Sequence, residues 1–189
     1  MNGSLIANQI HGIKKIKCKI PSWSKKESLL YPEKTSIEQC SSEATAMYKS
    51  KLAKGESFID LTGGFGVDSF FIKQSFNRGI YCETNIDLFE IVKHNFKQLD
   101  CKIDIFNRSG LDLLTDNVEK FDLIYIDPSR RSKDKKRVFK LEDYSPNITE
   151  HIDLFLEKSD KILIKTAPFL DISQVMKSLP HLSEVHVIS

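Results

Sequence analysis

The sequence lacks any long apolar segment. No run in its 189 residues approaches the roughly 18 consecutive apolar residues that a membrane-spanning helix requires. The basic amino-terminal residues are not followed by the apolar core of a secretory signal peptide. Both absences favour a cytoplasmic protein. Internal repeats and low-complexity segments are also missing, and the length suits one α/β domain.

Cysteine is scarce, and its spacing is not that of a metal site. Cys18, Cys40, Cys82 and Cys101 form no C-x-x-C pair, and no histidine lies beside them at ligand spacing. This pattern favours free thiols over a metal centre or a disulfide framework. We therefore expect no metal cofactor.

Acidic residues are absent from the first 26 positions, although the net charge is only +2. Six lysines precede Glu27: Lys14, Lys15, Lys17, Lys19, Lys25 and Lys26. A second basic run extends from Arg130 to Lys140, with Asp134 as its only acidic residue. Such runs are usually solvated surface. Two of them, one beside a candidate active site, favour a polyanionic substrate.

The alternation of apolar runs and helical stretches after Ser57 predicts a mostly parallel α/β sheet. The predicted strands are 58–61, 80–83, 102–106, 121–127, 161–166 and 184–188. The predicted helices are 35–52, 67–76, 86–99, 147–158 and 172–179. Ser36 and Gln39 resemble a capping box for the first helix, and Gly79 is a predicted turn or C-cap. Residues 1–34 are predicted to be a basic extension or lid, and 35–189 the α/β domain.

The first predicted strand runs into a glycine-rich segment, Asp60-Leu61-Thr62-Gly63-Gly64-Phe65-Gly66. Glycine lets a backbone turn tightly and approach a ligand. A dinucleotide fingerprint would read G-x-G-x-x-G, but Ser69 takes the place of its third glycine. Asp60 would repel a pyrophosphate, whereas it suits the ammonium group of an amino-acid ligand such as S-adenosylmethionine.

Two further strand ends carry candidate ligand groups. Glu83 ends the second predicted strand, 19 residues after Gly64, where a carboxylate can accept both hydroxyls of a ribose. The fourth strand ends in Asp127-Pro128, whose carboxylate and fixed carbonyl can accept hydrogen bonds from an amino group. Each residue also has a structural interpretation: Asp60 as a loop brace, Glu83 as an exposed strand end, Asp127-Pro128 as an ordinary turn.

These segments resemble the class I S-adenosylmethionine-dependent methyltransferases. The glycine-rich segment resembles their first motif, Glu83 their acidic second motif, and Asp127-Pro128 the Asp-Pro-Pro-aromatic motif of amino-directed nucleic-acid methyltransferases. The sequence is most similar to a bacterial family of predicted RNA methyltransferases with a THUMP-like carboxyl-terminal domain. That similarity covers residues 30–189 and is clearest at 38–46, 127–131 and 165–171.

The resemblance implies a Rossmann-like sheet with a helical amino-terminal extension, and methyl transfer to an amino group of a base in RNA. The implied catalytic residues are Asp127 and Pro128. The candidate cofactor-binding residues are Gln39, Asp60, Thr62, Gly63, Gly64, Gly66, Glu83, Ser109, Asp112 and Asp127. The candidate substrate-binding residues are Arg130, Arg131, Lys133 and Lys165. Ser41 and Thr45 have either a place near the methionine pocket or a core or capping role.

The sequence departs from the family pattern in three places. Ser129-Arg130 replaces the usual Pro-aromatic pair, so this motif offers no ring to stack on a base. Arg108 stands where an acidic residue often contacts the adenine, a contact that backbone or Asp112 would then make. The fold normally adds a seventh strand and the family a further domain, so we expect the chain to be incomplete after Ser189.

Three alternatives remain open at this point. An NAD-binding oxidoreductase shares the glycine loop and the acidic residue after the second strand, but it does not explain Asp60 or Asp127-Pro128. A non-catalytic RNA-binding module would use the basic runs and retain a vestigial cofactor site. A small-molecule methyltransferase would need neither basic run.

Overall fold

A computed structural model describes residues 3–130, 141–166 and 170–188 of the chain. Its strands are β1 (Gly55–Asp60), β2 (Phe76–Cys82), β3 (Asp104–Phe106), β4 (Leu123–Ile126), β5 (Ser129–Arg130), β6 (Tyr144–Ser145) and β7 (Ile162–Ile164). Five of them form a parallel sheet in the order β3-β2-β1-β4-β7, and β5 pairs with β6 as an antiparallel hairpin. The predicted Rossmann-like α/β sheet is therefore confirmed.

Helices cover the sheet and the amino-terminal region. They are α1 (Gly3–Lys19), α2 (Lys34–Gln39), α3 (Glu43–Ser50), α4 (Val67–Ile72), α5 (Ile86–Gln98), α6 (Gly110–Asp116), α7 (Ile148–Lys158) and α8 (Ile172–Ser178). Short 3₁₀ turns occur at Trp23–Lys25, Lys73–Ser75 and Leu141–Asp143. Within the described ranges, no helix combines the length and the apolar character that crossing a membrane would require.

The strand order reverses between β1 and β4, which lie side by side at the centre of the sheet. Asp60 of β1 pairs with Tyr125 of β4. From this pair, β2 and β3 extend to one side and β7 to the other. Loops leaving β1 and β4 therefore diverge and open a crevice at the carboxyl ends of the strands, where doubly wound sheets bind ligands.

The amino-terminal residues share a core with the α/β sheet. Trp23 is 1% exposed, and its ring lies edge-on to Phe65 and Phe70, with centroid separations of 5.4 and 5.5 Å. Ile16 and Tyr31 belong to the same apolar cluster. Because Phe65 is part of the glycine-rich segment, this packing supports the loop that follows β1.

The helix predicted over 35–52 is instead two helices, α2 and α3, separated by an extended Cys40. The capping-box prediction was wrong, because α2 begins before Ser36 and its N-cap, Glu33, makes no side-chain cap. Ser42 starts α3 by accepting a hydrogen bond from the Thr45 amide at 3.2 Å. A short hydroxyl side chain that satisfies an amide in this way favours a new helix start over continuation of the previous helix.

Gly79 is not a turn residue, because it lies within β2 beside Phe58 of β1. A Cβ atom at Gly79 would approach the Phe58 ring to 2.3 Å. The helix predicted over 67–76 is also shorter in the structure: α4 stops at Ile72, a 3₁₀ turn follows at Lys73–Ser75, and β2 begins at Phe76. The glycine makes room for a neighbouring ring, which its local sequence does not reveal.

The predicted strand at 184–188 was also wrong, because these residues form no strand in the described part of the chain. Val187 is 79% exposed, and the His186 ring contacts the Tyr48 hydroxyl of α3 at 2.9 Å. Alternating polar and apolar residues suit a strand, but a strand also needs a hydrogen-bonded neighbour.

Candidate functional site

A cleft of about 1060 Å³ opens at the carboxyl ends of β1 and β4. This volume is slightly above the range of about 300–1,000 Å³ that is typical of small-molecule sites. Loops that follow β1, β2, β4 and β7 contribute to its walls, as does the end of α2. The described residues that line it are 61–68, 82–85, 109–111, 127–129 and 144–146, with Ser36, Gln39, Cys40, Leu88, His151, Lys165 and Thr166.

The glycine-rich loop after β1 forms the floor of the cleft. Gly63, Gly64 and Gly66 have φ values of 41°, 63° and 74°, a region that favours glycine. A Cβ atom at Gly64 would have only the Thr62 carbonyl oxygen nearby, at 4.0 Å. The Gly64 backbone therefore borders open space, into which a ligand can approach closely.

Asp60 lies beneath this loop and is 1% exposed. Its Oδ1 accepts hydrogen bonds from the amides of Thr62 and Gly63 at 3.0 and 2.9 Å, and Ser69 donates to Oδ2. Burial raises the pKa of the Asp60 carboxyl to about 6, and these hydrogen bonds oppose the rise. Asp60 is not among the described residues that line the cleft. Its position is that of a loop brace.

Glu83 connects the loops that follow β1 and β2. Its Oε2 accepts a hydrogen bond from the Gly64 amide at 2.9 Å, and its Oε1 accepts one from the Asn85 amide at 2.7 Å. The side chain lines the cleft directly after β2. Two carboxylate oxygens at this place fit the paired hydroxyls of a ribose.

Asp127 follows β4 and lies opposite the glycine-rich loop. Its amide donates to Thr62 Oγ1 at 2.7 Å, and its Oδ2 lies 2.5 Å from Lys165 Nζ. Burial raises the pKa of the Asp127 carboxyl, and the Lys165 ammonium opposes this shift. The side chain remains 39% exposed towards the cleft, which Pro128 also lines.

The other predicted site residues are more scattered. Gln39 and Ser109 line the cleft, and Ser109 caps α6 by accepting from the Asp112 amide at 3.3 Å. Asp112 itself is exposed on α6 and is not among the described lining residues. Arg130 lies in β5, whereas Arg131 and Lys133 fall outside the described residues.

The β5–β6 hairpin and α7 supply a wall that the sequence did not predict. The hairpin pairs Ser129 with Ser145 and brings Tyr144 to the cleft, and His151 reaches it from the first turns of α7. Two-residue strands have no periodicity to detect, and an isolated histidine has no motif around it. The hairpin depends on pairing between residues that are about 15 positions apart, and a single sequence does not reveal such pairing.

A buried polar network behind the glycine-rich loop was also missed. Lys49 of α3 lies 2.6 Å from Asp68 Oδ1, with side-chain exposures of 7% and 9%. Ser41 and Tyr125 each donate to Asp68 Oδ2 at 2.8 Å. Burial lowers the pKa of Lys49, and Asp68 opposes the shift. The network joins α3, α4 and β4. Ser41 is thus part of this core network, whereas Thr45 lies in the first turn of α3 and its amide donates to the Ser42 hydroxyl.

No protein-family model and no curated protein matches the chain. Among solved structures, a candidate methyltransferase from Porphyromonas gingivalis W83 is 31% identical, with a TM-score of 0.80. The match covers 93% of this chain and 44% of that protein, so the chain spans less than half the length of its relative.

More distant solved structures share the fold. A precorrin 8W decarboxylase from Methanobacterium thermoautotrophicum has a TM-score of 0.54 at 11% identity, over 81% of this chain and 74% of that one. The 16S rRNA N2 G1207 methyltransferase of Thermus thermophilus, in complex with S-adenosylmethionine and guanosine, has a TM-score of 0.53 at 12% identity. That match covers 78% of this chain and 38% of the enzyme. The chain thus has the α/β Rossmann-like methyltransferase fold.

Proposed function

We propose that the chain binds S-adenosylmethionine in this cleft and transfers its methyl group to an amino group of a base in RNA. One observation carries the proposal: Glu83 and the Asp127-Pro128 turn are both hydrogen-bonded to the glycine-rich loop and border one cleft. The 31% identity to a candidate methyltransferase supports the same chemistry. We also propose that the chain is related to the bacterial family of predicted RNA methyltransferases with a THUMP-like domain.

The cofactor would lie between Glu83 and the glycine-rich loop. Glu83 would accept the ribose hydroxyls, and Gly64 would allow close approach of the backbone. Asp60 would act through the loop conformation that it stabilises, and Gln39, Thr62 and Ser109 would complete the walls. When bound, S-adenosylmethionine supplies an electrophilic methyl group.

On the acceptor side, Asp127 and the Pro128 carbonyl would accept the hydrogens of the reacting amine and orient its lone pair. Direct methyl transfer needs alignment and no covalent enzyme intermediate. The partly exposed His151 ring offers a flat surface where the Asp-Pro motif itself provides none, whereas Tyr144 is only 3% exposed. Such a surface suits a planar base.

RNA is proposed from the charge distribution. Arg130, Arg131 and Lys133 follow the catalytic turn directly in sequence, so a phosphate backbone bound there would place a base near Asp127. The lysines of α1 belong to the other basic run, in the amino-terminal region. Arginine suits this role because its guanidinium pairs with phosphate in a bidentate manner.

Calorimetry with S-adenosylmethionine, its demethylated product and NAD tests the cofactor assignment. We expect binding of the first two and none of NAD; binding of NAD alone would support an oxidoreductase instead. Labelled methyl transfer to RNA from cells lacking the gene tests the acceptor. Cofactor binding without RNA labelling, using the protein at its natural length, would contradict the RNA assignment and favour a small-molecule acceptor.

A further inference from the structure

The ammonium group of Lys165 is bound within the protein. Lys165 follows β7 directly, and its Nζ lies 2.5 Å from Asp127 Oδ2 and 3.4 Å from the Gln39 carbonyl oxygen. The side chain is only 26% exposed. Two of the three donors of the ammonium group are thus occupied within the protein, at the end of β4 and the end of α2. This arrangement differs from that of a lysine reaching outward for phosphate.

Lys165 and Asp127 each influence the pKa of the other, together with neighbouring charges. Burial raises the pKa of Asp127, and Asp68 adds to the rise, while Lys165 and Lys49 lower it. Lys165 makes the direct contact, at 2.5 Å. Burial lowers the pKa of Lys165, but Asp127 and Asp68 raise it, together with Cys40, so the net shift is upward. Each partner therefore stabilises the charged form of the other.

We propose that Lys165 is a positioning residue whose ammonium group keeps the Asp127 carboxylate ionised and fixed at the cleft wall. The inference rests on the proposed function, in which the ionised Asp127 carboxylate accepts hydrogen bonds from the reacting amine. A protonated carboxyl would lose part of this acceptor capacity. The inference assigns Lys165 a role other than the substrate contact predicted from the sequence.

Carbon-13 titration of the aspartate carboxyls tests this role without cofactor or substrate. The Asp127 signal is assigned by its loss in Asp127→Asn. In Lys165→Met, the Asp127 midpoint should move upward by on the order of one pH unit, because the nearest cation is gone. Lys165→Arg should stay close to the wild type. Lys161→Met is the matched control, since Lys161 precedes β7 and its ammonium binds the Leu52 carbonyl instead.

The reciprocal measurement keeps the test decisive if Lys165→Met does not fold. The Lys165 side-chain signal in Asp127→Asn should titrate at a lower pH than in the wild type, because the coupling between two charges acts on both. An unmoved midpoint in either folded variant overturns the proposal. Matching shifts in opposite directions support it.

Binding and turnover separate this proposal from the proposed function. Lys165→Met should bind S-adenosylmethionine with an affinity close to that of the wild type, while the acidic limb of its methyl-transfer profile moves to higher pH. A wild-type protein that fails to bind S-adenosylmethionine would overturn the proposed function. The carboxyl titration would still decide whether Lys165 controls Asp127.

Discussion

At the residue scale, the Glu83 carboxylate accepts hydrogen bonds from the Gly64 and Asn85 amides and also lines the cleft. Replacement by alanine removes the proposed acceptor of the ribose hydroxyls and the hydrogen bonds to the Gly64 and Asn85 amides. We expect Glu83→Ala to weaken S-adenosylmethionine binding by roughly 1.5–3 kcal/mol, about ten- to a hundredfold in Kd. Calorimetry measures this change, and Glu90→Ala, at an exposed position of α5, is the control. Equal affinities for the wild type and Glu83→Ala would contradict the assignment.

Asp127 allows binding to be separated from chemistry. If its carboxylate accepts a hydrogen from the reacting amine, Asp127→Ala should bind S-adenosylmethionine nearly normally. Its single-turnover rate should fall by on the order of 10²–10³, or about 2.7–4 kcal/mol in barrier. Melting temperature and cofactor affinity are measured in parallel. A joint loss of stability and affinity would indicate a turn residue, and surviving turnover would exclude the catalytic role.

Single residues also show where sequence reasoning reached its limit. Glu83 and Asp127 were placed at the cleft because a strand end fixes the position of the residue that follows it. Asp60 was correctly placed at a strand end, but its partners Thr62, Gly63 and Ser69 turn its carboxylate under the loop. Side-chain direction within a loop depends on those hydrogen bonds, which spacing alone does not determine.

At the element scale, the packing of β2 against β1 requires a glycine at position 79. Adding a methyl group at Gly79 would push the Phe58 ring of β1 away from β2, because the new Cβ would lie 2.3 Å from the ring. We expect Gly79→Ala to lower the free energy of unfolding by about 1–3 kcal/mol in urea denaturation. Asn77→Ala, at an exposed position of the same strand, should change it by only about 0.5 kcal/mol. Equal effects of the two substitutions would refute the packing argument.

The predicted elements that proved correct are those with a strong local signal. Apolar runs located β1, β4, β7 and the second half of β2 to within a few residues. The central strands β1 and β4 are buried over most of their length, and such strands read as continuous apolar segments. The β5–β6 hairpin and the break between α2 and α3 escaped prediction. The hairpin depends on pairing between residues that are distant in sequence. The break between the helices depends on the Ser42 hydroxyl, which competes with the helix backbone for an amide.

At the scale of the whole molecule, the two basic runs differ in their setting. The first includes Lys14, Lys15 and Lys17, which are exposed on α1. Ile16 of α1 and Trp23, which follows the helix, belong to the core behind the glycine-rich loop. The second run, 130–140, follows the Asp127 turn along the chain. A polyanion that reaches the proposed acceptor site should therefore depend more on the second run than on the first.

Salt dependence distinguishes these two surfaces. Binding of a single-stranded RNA releases about 0.7 counterion for each phosphate neutralised, so the logarithm of affinity falls linearly with the logarithm of salt concentration. Replacing Lys133, Lys135 and Lys136 by glutamine should reduce that slope by about 2, if all three contact phosphates. The matched variant with glutamine at Lys14, Lys15 and Lys17 removes the same charge from α1. Fluorescence anisotropy between 50 and 200 mM salt, with one labelled oligonucleotide, provides both slopes. A reduced slope in the first variant alone would locate the RNA beside Asp127. A reduced slope in the α1 variant alone would move the RNA to the other surface, and an unchanged slope in both would leave the lysines as solvated surface and remove the charge argument for RNA.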